Sequence, residues 1–270
     1  MFKRTLFYLA LMVGAFTFIY PFLWMAAATL KPEYEIPQLS FFGSRITAES
    51  YRLVLEKIPV VRAFFNSLIV SASVTASVLV FSSMVGYALS RLKFKGREII
   101  FTVILFTMMI PFQITLIPMY VLIVKLGWTD TYLALIVPYM INAFGIILFR
   151  QFFKAIPQDV IDAARIDGCS ELRILFQIVW PLSVPALVTV GIIVFMMTWN
   201  EVLWPLIVIK KTEIMTMPQM VALFAVGGQA ENLIGVRLAA AMMLTIPVLV
   251  VYIFFQRHFI QSMATTGLKG

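Results

Sequence analysis

Residues 63–90 read AFFNSLIVSASVTASVLVFSSMVGYALS, 28 positions without a charge. A helix needs about 20 apolar residues to cross a bilayer, and inside lipid its backbone polar groups must pair within the helix. The stretch ends in Arg91-Leu92-Lys93-Phe94-Lys95-Gly96-Arg97, with four cations in seven residues. A short loop so rich in Lys and Arg is expected on the cytoplasmic side of a membrane. This pairing of an apolar span with a basic stop sets both the fold class, an all-α membrane protein, and its orientation.

Further uncharged runs cover residues 5–30, 99–124, 131–149, 174–200 and 238–256. With the first they make six transmembrane helices, expected at about 5–29, 64–90, 99–124, 131–150, 182–207 and 238–257. Pro181 and Pro185 break the start of the fifth run. A shorter run at 214–230 carries Pro218 and Gly227-Gly228, which predicts a short helix and loop at the membrane surface or a re-entrant segment. Lys3 and Arg4 before the first run and Ala26-Ala27-Ala28 near its end mimic a signal peptide. The apolar stretch is about twice the length of a signal core, so it is expected to remain as a first span. Six spans put both termini on the side of the basic loop, and that side as a whole carries 12 of the 21 Lys and Arg residues. Segments 31–62 and 208–237 are then external and 153–180 is cytoplasmic, within a single transmembrane domain over 1–270.

Composition agrees. Apolar residues make up 61% and charged residues 13% of 270, against about 25% charged in soluble domains. Mean hydropathy is +0.96. Disordered, collagen-like and disulfide-scaffold classes are excluded. A single cysteine, Cys169, and a single histidine, His258, leave no thiolate zinc site and no His-paired catalytic centre. The net charge of +8 reports cytoplasmic loops facing anionic membrane lipid rather than a nucleic-acid partner.

The cytoplasmic segment 155–168 reads AIPQDVIDAARIDG. Pro157 suits a helix start, Asp159 its positive end and Gly168 its stop. Ser170 suits the cap of a second short helix, expected to end before Pro181. An amphipathic surface helix explains these signals. So does a helix built to sit in a groove of a soluble partner, since Ala163 and Ala164 permit close approach.

The spacing Asp162-Ala163-Ala164, Asp167-Gly168, Ile178, Pro181 resembles the EAA loop of inner-membrane subunits of ABC importers, with Asp162 where that family usually has Glu. Asn66-Ser67-Leu68-Ile69-Val70-Ser71, Gly86-Tyr87-Ala88-Leu89-Ser90-Arg91, Trp199-Asn200-Glu201-Val202-Leu203-Trp204-Pro205-Leu206 and the terminal Gly267-Leu268-Lys269-Gly270 resemble the carbohydrate-type, MalG-like branch. Importers of glycerol-phosphate or polyols are near neighbours. The resemblance covers nearly the whole chain.

It implies a type I ABC importer permease fold with a MetI-like core and cytoplasmic coupling helices. It implies a heterodimer with a second homologous permease, two ATPase subunits beneath, and an extracytoplasmic substrate-binding protein. ATP and Mg would bind the partner ATPase subunits, with no cofactor on this chain. Asp159, Asp162, Ala163, Ala164, Arg165, Asp167 and Gly168 would couple to the ATPases, and Gly267, Leu268, Lys269 and Gly270 would contact them through the tail. The sequence itself holds no Walker motif.

Polar residues within spans are candidates for a pathway or gate: Asn66, Gln113, Asn142, Asn200 and Glu201. Helix-to-helix hydrogen bonds explain the amides equally, and close packing explains the serine-rich second span. Glu201 lies 16 residues beyond Pro185, about 24 Å along a straight helix, which predicts an interfacial position with Trp199 and Trp204 in an aromatic belt. A six-span secondary transporter would need a midplane acid or histidine for ion coupling, and an intramembrane enzyme a nucleophile with its base. The sequence supplies neither.

Overall fold

Prolines and glycines cut the apolar runs into more helices than spans. The structure, a computed structural model, describes residues 2–38, 40–226 and 233–267. In chain order the α-helices are α1 (Phe2–Ala28), α2 (Glu49–Lys57), α3 (Val60–Arg91), α4 (Arg97–Met108), α5 (Phe112–Lys125), α6 (Tyr132–Ile136), α7 (Ala143–Lys154), α8 (Gln158–Ile166), α9 (Glu171–Ile174), α10 (Trp180–Leu182), α11 (Val184–Trp199), α12 (Leu203–Val208), α13 (Met217–Val226) and α14 (Ile234–Gly267). Among the described residues there is no strand.

Three helical stretches are individually long and apolar enough to cross a membrane: Arg4–Ala28, Val60–Arg91 and Ile234–Phe254. Three bent pairs pass the same test together, giving up to six. The run 99–124 is two helices, α4 and α5, meeting at 99°. The residue before a proline is driven out of the α region, and Pro111 opens α5 in an extended conformation. The run 131–149 bends by 40° between Tyr139 and Ala143, and Glu171–Leu182 meets Val184–Trp199 at 88°. The helical run after Ser170 does not stop before Pro181 but reaches Leu182, past its expected end. In an α-helix a proline clashes with the carbonyl four residues earlier; a π turn over Leu175–Val179 widens this stretch. The last helix runs ten residues past its expected end, to Gly267.

The chain divides into two compact units. The first joins residues 1–63 to 220–247. There the Glu33 carboxylate accepts hydrogen bonds from the backbone N–H groups of Ile234 and Gly235, satisfying donors that a helix start leaves free. Gly235 is required at this contact, since a Cβ would lie 2.6 Å from both Ile36 and Ser50.

The second unit, 64–219 with 248–270, holds the larger core. Val70, Val74 and Val78 of α3 pack in it with Phe149 and Phe153 of α7 and Ala186, Val190 and Val194 of α11. Close crossing of α3 and α7 depends on small residues. A Cβ on Gly86 would stand 2.7 Å from the Phe149 Cβ and 3.0 Å from the Arg150 nitrogen. Ser82 and Ser83 are fully buried, and Ser83 Oγ accepts from Trp180 Nε1 at 3.1 Å. The serine-rich face of this helix thus packs against neighbours, one of the two roles its composition allows. Trp199 and Trp204 are corrected: at 1% and 0% exposure they are core residues, not members of an interfacial belt.

Candidate functional site

Two groups of candidate residues come together, both in the second unit. The first centres on α8. Its backbone ends in a Schellman motif, in which Cys169 N–H donates to the Ala164 carbonyl and Gly168 N–H to the Arg165 carbonyl, each at 3.0 Å. Gly168 has φ +78°, a conformation that glycine adopts without penalty. Pro157 stands at the N-cap, just before the first turn. Ser170 caps α9 by accepting from Arg173 N–H.

Arg165 ties this loop together. Its Nε donates to Glu171 Oε1 at 2.8 Å and its Nη1 to Asp162 Oδ1 at 3.1 Å. Gln158 donates to the same Asp162 oxygen at 2.9 Å. Tyr87, near the end of α3, donates its hydroxyl to Glu171 Oε2 at 2.5 Å. One turn later on α3, Arg91 donates to Gln158 at 2.8 Å and to the carbonyls of Phe153 and Ile156. The Arg165 hydrogen bond holds the Glu171 carboxyl below its ordinary range, against the opposing effect of burial. The end of α3, the end of α7, α8 and α9 are therefore one charge-assisted network.

The two faces of α8 differ. Ile161 and Ala164 are buried at 0% and 5% exposure, whereas Ile166 is 86% and Val160 38% exposed. Val160, Ala163 and Ile166 recur at three-residue spacing on one face, with the exposed carboxylates of Asp159, Asp162 and Asp167 around them. The outer face of α8 is thus a small, apolar, acid-rimmed surface.

The second group surrounds a cavity of about 210 Å³. Tyr139, Asn142, Thr198, Glu201, Trp204 and Thr216 contribute to its wall, with Val70 and Val74 of α3 among the apolar side chains. Glu201 reaches it because α11 ends at Trp199 and the chain turns before α12, a turn that straight-helix extrapolation does not include. Its Oε1 accepts from Trp204 N–H at 3.1 Å. Asn142 caps α7 by accepting from Gly145 N–H at 2.7 Å.

The remaining polar candidates lie elsewhere. Asn66 donates to the carbonyls of Glu213 and Met215 at 3.0 and 2.9 Å and accepts from the Tyr132 hydroxyl at 2.6 Å, so it anchors a loop. Gln113 is exposed in the first turn of α5. Asn200 is exposed and donates to Met196 O at 2.8 Å. In the tail, Gly267 ends α14, and Leu268, Lys269 and Gly270 lie outside the described residues. Sequence reasoning assigned no role to Tyr87, Arg91, Gln158 or Glu171 in the loop, nor to Tyr139, Thr198 or Thr216 at the cavity. The spacing of Tyr87 and Arg91, four apart at a span's end, was the available signal for the first set. Thr216 had none.

Comparison with known proteins identifies the family. Residues 78–265 match the model of the binding-protein-dependent transport system inner membrane component. The arabinooligosaccharides transport system permease protein AraQ of Halalkalibacterium halodurans is 35% identical, over 95% of this chain and 93% of its own. The lactose transport system permease protein LacG of Rhizobium radiobacter is 33% identical over 95% and 93%. The trehalose/maltose transport system permease protein MalG of Thermococcus litoralis is 32% identical over 99% and 98%. Among solved structures, a bacterial ABC transporter involved in the import of the acidic polysaccharide alginate superposes with a TM-score of 0.83 at 25% identity, covering 96% of both chains. With a match over more than half its length and relatives aligned nearly end to end, the chain belongs to the family of inner-membrane components of binding-protein-dependent transport systems.

Proposed function

We propose that the chain is the permease subunit of an ABC importer for a sugar or oligosaccharide and forms half of its translocation pathway. The subunit crosses the membrane six times with both termini in the cytoplasm. The bent pairs α4–α5 and α6–α7 each act as one span, α11 with α12 supplies the fifth, and loop 153–180 faces the cytoplasm. A second, similar permease completes the pathway. A binding protein delivers the sugar from outside, and two ATPase subunits bind ATP and Mg below. Catalysis resides on those partners, and this chain supplies no catalytic group.

The observation that supports the coupling role is the contrast between the two faces of α8. Its inner face is fixed by Ile161, Ala164 and the Arg165 network, while its outer face leaves Val160, Ala163 and Ile166 uncovered. Such a helix can take up a push from a docked ATPase and pass it on. Arg91 and Tyr87 connect it to the full length of α3, so displacement of α8 moves a membrane-spanning helix. Helices α4 and α7 are tied in at the same end, where Arg150 pairs with Glu98 at 2.9 Å and lies 3.6 Å over the Phe101 ring. The tail residues Gly267, Leu268, Lys269 and Gly270 reach the ATPase pair as well, a role supported by their resemblance to the tail of the MalG-like branch.

Reconstitution tests this directly. The chain, its partner permease and the ATPases in proteoliposomes should hydrolyse ATP faster when the sugar-loaded binding protein is added. Ile166→Asp should abolish that stimulation and ATPase attachment while leaving the membrane part intact. ATPase attachment and stimulation at wild-type levels in that variant would remove α8 from the coupling path.

A further inference from the structure

Among the described residues, two polar groups at the cavity beside Glu201 have no partner. The hydroxyls of Tyr139 and Thr216 are both buried without a hydrogen bond, and Thr216 as a residue is only 4% exposed. Such groups carry a desolvation cost unless something bonds to them. They share the cavity wall with Asn142, Thr198 and the carboxylate of Glu201. The ring of Phe112 stands edge-on to that of Trp204, and Tyr139 lies 6.3 Å from the same Phe112 ring. Apolar walls with a few convergent polar groups are the usual makeup of a small-molecule site.

We propose that this cavity holds one neutral sugar residue of the transported oligosaccharide, so that this subunit itself contacts substrate. The proposal rests on the sugar-import reading above. Its chemistry follows from the wall. A sugar hydroxyl both donates and accepts. It can take the orphan protons of Tyr139 and Thr216 and give its own to Glu201. A metal cation would accept no proton from either hydroxyl, and an acidic sugar would place a second negative charge beside Glu201 in a poorly solvated site. Size agrees. A cavity of about 150 Å³ admits benzene, so about 210 Å³ admits a six-membered ring with polar substituents. Tyr139 and Trp204, with Val70 and Val74, supply apolar surface for the C–H groups of the sugar ring. Residues of α11 and α12 line the cavity, and their junction at residues 200–202 lets Glu201 join its wall instead of continuing along the helix.

The test uses the assembled importer in nanodiscs without its binding protein, and in proteoliposomes with it. The probes are tritiated arabinotriose, lactose and trehalose, with digalacturonate as the acidic comparison. The wild-type complex should retain at least one neutral probe and import the same one. Tyr139→Phe and Thr216→Val, each removing little more than a hydroxyl, should weaken retention roughly fivefold to tenfold, about one neutral hydrogen bond. The affinity of the isolated binding protein for sugar should not change. Wild-type retention and import in both variants would overturn the proposal and leave the import function standing. Loss of the second permease from the variant complexes would also overturn it, because the hydroxyls would then be serving the partner chain. Preferential retention of digalacturonate would overturn the neutral-sugar assignment. Failure of the wild type to import any sugar would remove the import reading and this inference together.

Discussion

Gly168 shows how one residue's backbone serves the proposed coupling loop. At φ +78° it reverses the chain after α8, so that Cys169 N–H closes on the Ala164 carbonyl and Ser170 can cap α9. Among the described residues nothing lies within 4 Å of where a Cβ would stand, so a substitution acts through the backbone alone. An ordinary L-residue in this region costs about 1–2 kcal/mol, and a β-branched one more. Gly168→Val should therefore reach the membrane at normal levels yet lose ATPase co-purification and transport. Gly168→Asn, which tolerates the left-handed region, should keep most of both. A valine variant that transports like wild type would show that the turn has no part in coupling. The glycine and the Ser170 cap were legible in the sequence because their chemistry is local. The Arg165–Glu171–Tyr87 network was not, since Tyr87 lies 84 positions from Glu171 and only tertiary packing joins them.

At the level of helices, apolar runs located the elements well and their continuity poorly. Hydropathy sums over a window and does not register whether a helix stays straight. The breaks at Pro111 and Ser183 follow from dihedral restriction, and the prolines at 181 and 185 announced the second. The 99° bend between α4 and α5 was not apparent from Pro111 and Pro118 inside a 26-residue run, since α5 continues through the second of them. The same limit hid the cavity at Glu201, whose wall this residue joins because α11 ends at Trp199. Crossing of α3 and α7 was legible only as a tendency, through Ser82 and Gly86 at small-residue spacing. The contact distance makes it definite. A methyl on Gly86 would stand only 2.7 Å from the Phe149 Cβ, so α3 and α7 must separate to admit a larger residue. Gly86→Leu should destabilise the detergent-solubilised protein by about 1–3 kcal/mol, seen as a lower unfolding temperature, with Gly86→Ala milder. An unchanged unfolding temperature for the leucine variant would mean that the two helices do not pack this closely.

For the whole molecule, orientation rests on charge. The loop at residues 91–97 carries four cations, and the proposed coupling helix lies on its side: Arg91 at the start of that loop bonds Gln158 at the start of α8. A cytoplasmic ATPase can reach α8 only if this end of α3 is cytoplasmic, so topology and coupling must agree. The loop's exposed positions include Lys93, Lys95 and Gly96. Gly96 is unsuited to a probe because its φ of +87° would strain any replacement. Lys95 carries no such constraint. The variant should combine Lys95→Cys with Cys169→Ala, which removes the single native cysteine. In intact cells, a membrane-impermeant maleimide added outside should leave this cysteine unlabelled, and in inside-out vesicles the same reagent should label it. Labelling in intact cells would invert the orientation. It would place α8 outside the cell, beyond the reach of any ATPase, and the coupling proposal would fall with the topology.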